Sequence, residues 1–177
     1  MQEFNDVFFE QIVPIKKTGG QIATIILIWV LAIIVAAFIY LFLMPALAAL
    51  GGFGLLLIFG VFYLAWKFNV RFNQEYEYII TNGTLDIDLI TNKSMRKRAL
   101  SLELSNVTQF ERYNPAKPLT IGNKKPLVAC NLDDEDAVVL VADRDGKESA
   151  FLVFAPDEKL KRAILKAIPL FVSNKFN

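Results

Sequence analysis

The chain has 177 residues, 19 Lys and Arg against 18 Asp and Glu, and is 54% hydrophobic. Near-balanced charge excludes the broad basic field that gathers nucleic acid. The lack of histidine removes the commonest general base and the Ser-His and Cys-His nucleophile pairs, and a single cysteine excludes an intramolecular disulfide, as suits a reducing compartment.

In the first segment, 1–20, Phe4, Phe8 and Ile12 recur at helical spacing, with Asn5 as a cap and Pro14 as a stop. This predicts a short helix lying in a membrane interface. From Thr18 to Trp66 there is no Lys, Arg, Asp or Glu, and Pro45, Gly51, Gly52 and Gly54 punctuate the middle. A bilayer crossing needs ~20 apolar residues, so the stretch predicts two transmembrane helices, Gln21–Leu43 and Leu47–Trp66, in a hairpin over 21–66. A cleaved signal peptide would have a shorter apolar core and no second span behind it. Lys16 and Lys17 before the first span and Lys67 and Arg71 after the second place both termini on the cytoplasmic side of the plasma membrane. Ala32 with Ala36, and Ala48 with Gly52, have the four-residue spacing of a close helix-packing face.

Beyond Lys67 the pattern changes to a near-neutral domain, 67–177, long enough for a core of its own. Glu75–Ile80 opens a strand, Asn82-Gly83 is a strong hairpin signal, and Thr84–Leu89 alternates with Leu85, Ile87 and Leu89 on one face. After a turn at Thr91–Lys93, Leu100, Leu102 and Leu104 face the core in a third strand. Val107–Tyr113 reads as a fourth strand, and the segment 114–126, with Pro115, Pro118 and Pro126, as a long loop. Strand-like runs resume at Leu127–Leu132, Ala137–Ala142 and Ser149–Phe154, the last two joined by a turn at Asp145-Gly146. Leu160, Ile164, Ala167, Ile168 and Phe171 then recur at helical spacing, until Pro169 kinks or ends the helix.

No residue set points to catalysis, a cofactor or a metal. Cys130 sits in an apolar strand context without a basic neighbour to activate it. Asp133-Asp134-Glu135-Asp136 is contiguous, whereas calcium loops alternate their ligands, so it reads as a solvated turn. The spans hold no ionisable relay. Lys93, Arg96, Lys97 and Arg98 are the one suggestive cluster outside the membrane. Either they form a solvated charged turn, or they contact anionic lipid headgroups, each such contact contributing ~1 kcal/mol.

About seven antiparallel strands closed by one amphipathic helix is the order of a pleckstrin-homology-like (PH-like) barrel or sandwich. Tyr78-Ile79-Ile80-Thr81-Asn82-Gly83-Thr84-Leu85, followed by Arg98-Ala99-Leu100-Ser101-Leu102, resembles the bacterial PH-like domains that follow a pair of membrane helices. With Asp86-Ile87-Asp88 and Arg96-Lys97-Arg98, the whole chain also resembles a family of small membrane proteins of Gram-positive bacteria. The resemblance implies a non-enzymatic binding or scaffolding module at the cytoplasmic membrane face. Its partners would be the lipid bilayer with its anionic headgroups, a membrane protein or further copies of itself, and not nucleic acid. The other reading is an accessory subunit of a transporter or secretion complex, docking through the hairpin.

Overall fold

A computed structural model describes residues 8–46, 53–116, 125–144 and 147–176. The expected inter-helix turn with Ala48, Gly51 and Gly52, the Asp145-Gly146 turn, Pro118 and the Phe4/Asn5 helix start lie outside the described residues. The chain divides into two compact units, Lys16–Asn73 and Met1–Ile15 with Gln74–Asn177.

The helical unit begins with α1 (Gly19–Phe38), opened by a capping box. Thr18 Oγ1 accepts from the Gln21 N–H at 3.3 Å, and Gln21 Oε1 accepts from the Thr18 N–H at 3.0 Å. The helix runs on through a π-helical turn, Ile39–Leu43, in which the Met44 N–H bonds the Ile39 carbonyl. Pro45 explains the widened turn: its ring would clash with the carbonyl four residues back, and one extra residue per turn relieves the clash. The second helix, α2 (Phe53–Val70), packs on the first, with Trp29 and Phe62 stacked at 6.3 Å. A Cβ at Gly54 would overlap the Met44 sulfur, so glycine is what permits that approach. Gly19–Leu43, 25 residues, is the one described helix long and apolar enough to cross a membrane; the apolar Gly54–Val70 is shorter.

The second unit holds two four-stranded sheets among the described residues, not one barrel of about seven strands. In the first, β1 (Phe8–Pro14), β2 (Gln74–Thr81), β3 (Thr84–Thr91) and β4 (Met95–Glu103) lie in sequence order, all antiparallel. A 3₁₀ turn, Leu104–Asn106, leads into the second sheet. There β5 (Val107–Arg112), β6 (Leu127–Val128), β7 (Val138–Arg144) and β8 (Lys147–Phe154) take the order β5-β7-β8-β6. The run expected to be a strand over 127–132 is only two residues long, and β6 pairs parallel to β8. Two helices follow, α3 (Glu158–Ala167) and α4 (Leu170–Phe176), separated at Pro169, whose missing N–H ends the first.

Residues 8–14 form a strand where a helix is expected. Phe9, Gln11 and Val13 alternate toward the core, while Phe8 and Ile12, taken from spacing as a helical face, are the exposed positions. The partner that makes this a strand is β2, sixty residues on, which local periodicity cannot register. Gln11 fixes β1 further, its amide donating to the Ala155 carbonyl at 3.1 Å and its oxygen accepting from the Asp157 N–H at 2.7 Å.

One core joins both sheets and the helices. Leu85, Ile87, Leu102, Leu160, Ile164 and Ile168 are buried together with Val13, Phe110 and Phe154, and Leu100 packs against them. Tyr78 crosses between the sheets: its hydroxyl donates to the Ala129 carbonyl at 2.6 Å, and its ring meets Phe154 edge-on at 5.4 Å.

Ile15 and Gln74 are themselves paired, the Ile15 N–H bonding the Gln74 carbonyl at 3.1 Å, so the helical unit is an insertion between two adjacent strands. Such a pair is what a two-residue hairpin turn closes. Replacing residues 16–73 by Asn-Gly is expected to yield a soluble domain that unfolds cooperatively in denaturant. The segment 74–177 alone, lacking β1, is expected to show no cooperative transition, because Val13 and Gln11 are then missing from the core face. A cooperative transition for that shorter segment would show that β1 is dispensable.

Candidate functional site

The outer face of the first sheet is a ladder of charges set by register. Glu77 stands directly opposite Asp88 and Asp88 opposite Arg98, while Ile90 stands opposite Arg96 and Asp86 opposite Ser101. Like charges opposed across strands repel, and the arginines of β4 offset this. Arg96 Nη2 lies 2.9 Å from Glu77 Oε1, and Arg98 forks between Asp88, through Nε, and Asp86, with Nη1 2.7 Å from Oδ2.

A bulge makes this possible. Leu100 pairs with Ile87 and Arg98 with Asp88, which leaves Ala99 as an extra residue. With Leu100 and Leu102 facing the core, strict alternation would send Arg98 and Arg96 inward. One inserted residue moves them to the outer face, onto the carboxylates. Arg96-Lys97-Arg98, expected in or beside a turn, is therefore part of β4.

Glu77 is wholly buried, and its Oε2 has no hydrogen-bond donor; nor has Asp86 Oδ1. Burial pushes the Glu77 carboxyl above its ordinary range, and the neighbouring Glu10 and Asp88 carboxyls add to this, against the pull of Arg96.

Lys93 and Lys97 stand apart from this ladder: both are exposed, and among the described residues neither has an ion-pair partner. Lys93 occupies the second position of a tight turn, with Asn92 at φ 53° and Lys93 at φ 56°, closed by the Ser94 N–H on the Thr91 carbonyl at 3.3 Å. The turn between β2 and β3 has the same left-handed form, with Asn82 at φ 49° and Gly83 at φ 82°. A residue with a Cβ pays roughly 1–2 kcal/mol in this region, whereas glycine does not. Met95, next to the turn, is 61% exposed. All four basic residues grouped by the sequence are exposed; Arg96 and Arg98 pair with the sheet's carboxylates, whereas Lys93 and Lys97 have no ion-pair partner among the described residues.

Ala32 and Ala36 are buried within the helical unit, while Ala48 and Gly52 lie outside the described residues. Burial pushes the Cys130 thiol up to about 12, aided by Asp134 and Asp133, which leaves almost no thiolate near neutrality. Asp134 shapes its own turn, its carboxylate accepting from the Asp136 N–H at 3.0 Å. No group of three metal-ligating side chains occurs among the described residues.

Among known proteins, the family model described as a bacterial PH-like domain (DUF6106) matches residues 5–174. No curated protein and no solved structure matches the chain.

A raised Glu77 pKa means that folding favours its protonated form. That contribution is complete below the ordinary value of 4.5 and is lost as pH rises through the folded-state value. Glu77→Gln keeps an acceptor for Arg96 and cannot ionise. It is expected to gain stability relative to the wild type as pH rises from 4.5 toward neutrality, measured by denaturant unfolding across that range. A constant difference between the two proteins would show that Glu77 does not titrate in this window.

Proposed function

The chain belongs to the bacterial PH-like domain family, and on that premise we propose that it is a membrane-anchored, non-enzymatic module for binding or scaffolding at the cytoplasmic membrane face. PH-like domains generally serve recognition. The buried Cys130 with its suppressed thiolate and the lack of histidine favour that role over catalysis.

The observation that carries the anchoring is the pairing of β1 with β2 across the helical insertion. The strands run antiparallel up to Ile15 and Gln74, and only residues 16–18 and 71–73 connect that pair to the helices. An insertion that leaves and re-enters one sheet end must cross a bilayer an even number of times. Gly19–Leu43, 25 residues long, measures about 37 Å at 1.5 Å per residue, more than the ~30 Å hydrocarbon core. A crossing by this helix requires a return before Gln74, and the apolar α2 supplies it. Trp66 and Tyr63 near the end of α2, followed by Lys67 and Arg71, suit an interfacial belt on the cytoplasmic side.

In intact cells carrying the Cys130→Ala chain, a cysteine placed at Gly51 is expected to react with an impermeant maleimide, and one at Asn177 is not. Reaction at Asn177 would reverse the orientation, and reaction at neither position in cells, with both reacting after lysis, would remove the crossing.

A further inference from the structure

We infer that Lys93, Met95 and Lys97 form a tip that contacts the anionic headgroups of the bilayer, and that Arg96 and Arg98 take no part because the sheet's carboxylates hold them. The inference rests on the anchored reading above and assigns a specific contact within it.

Register places the tip. Thr91 pairs with Gln74 and with Met95, and Gln74 bonds Ile15, so the turn lies at the same sheet end from which the chain departs for the helices. Gln74 is four residues from Val70, the last of α2, and Ile15 is four from Gly19, the first of α1. At ~3.6 Å per residue at most, that sheet end lies within about 14 Å of both helix termini. Attraction between lysine and an anionic surface acts over ~10 Å at 0.1 M salt. The opposite turn, Asn82-Gly83, lies a full strand length from that sheet end.

The two turns differ in one telling position. At the far end the left-handed second position is glycine, which adopts it freely. At the helix end the same position holds Lys93 at φ 56°. A lysine there is a worse choice for folding, so its presence needs a reason outside the sheet. Lys93 and Lys97 supply two charges without an ion-pair partner among the described residues, and the exposed Met95 lies between them in sequence. Point charges on flexible stems beside an unbranched apolar chain suit phosphate oxygens above an acyl boundary. The arginines, although about half exposed, are already paired, and moving either to a headgroup would take that partner from Glu77, or from Asp86 and Asp88.

The test uses the full chain with Cys130→Ala, labelled at Ser94→Cys with a fluorophore, in bilayers of phosphatidylcholine with or without phosphatidylglycerol. A headgroup spin label is expected to quench the fluorophore more strongly in the anionic bilayer, and the increment is expected to fade as salt rises above ~0.1 M. Lys93→Gln with Lys97→Gln should remove the increment and leave the melting temperature almost unchanged. Arg98→Lys should lower the melting temperature and keep the increment. Lys93→Gly should do the reverse, raising the melting temperature while shrinking the increment. Equal quenching in both bilayers, or an increment that survives the double lysine change, would overturn the proposal. Quenching of Trp29 and Trp66 by brominated acyl chains reports the anchor separately: its absence in both bilayers would sink the anchored reading itself.

Discussion

Everything else in this protein depends on one antiparallel pairing, β1 against β2, made across an insertion of two apolar helices. Seven residue pairs, Phe8 with Thr81 through Pro14 with Glu75, hold the strands in register. Without them the first sheet would lack an edge strand, Gln11 would not tie Ala155 and Asp157 to that edge, and Val13 would leave the core. The same pairing brings the start and finish of the helical insertion to one place. The two connectors between that sheet end and the helices, 16–18 and 71–73, are each three residues long.

The second constraint is electrostatic. Alternation puts carboxylates from β2 and β3 on one outer face, where Glu77 and Asp88 are direct cross-strand neighbours. Three responses to that repulsion coexist. Arg96 and Arg98 supply opposite charge. The bulge at Ala99 turns those arginines to the face that needs them. The Glu77 carboxyl, buried and close to other carboxyls, holds its proton more tightly than usual. An ion pair whose arginine is half exposed is weak evidence for stability by itself. Its clearer effect is on register: slipping β4 by one residue would drive both arginines into the apolar core and leave three carboxylates uncompensated.

These two constraints give the basic segment its double character. Cations inside the ladder are tied to the fold, whereas those at the tip are left to interact outside it. The Lys93 turn accepts conformational strain that its Asn82-Gly83 counterpart avoids. Of the two turns, only this one places a residue with a Cβ at the second left-handed position.

The amino-acid sequence alone determined whatever local chemistry dictates. An uncharged run from Thr18 to Trp66 cannot sit stably in water as a two-sided helix, Asn82-Gly83 can hardly be anything but a tight turn, and the alternation of Leu85, Ile87 and Leu89 sets a strand face. The burial of Leu160, Ile164 and Ile168 was likewise legible, because helical spacing exposes one apolar stripe. Tertiary structure decided the rest. Phe8–Pro14 has no helix or strand preference strong enough to declare itself, and becomes a strand only because β2 arrives beside it after the whole helical insertion. Arg96 and Arg98 read as neighbours of Lys93 and Lys97 along the chain, yet one unpaired residue, Ala99, sends them to a face where carboxylates from two other strands wait. A bulge is a property of two strands in register and not of either alone, so the division of these four charges between fold and surface could only be settled in three dimensions.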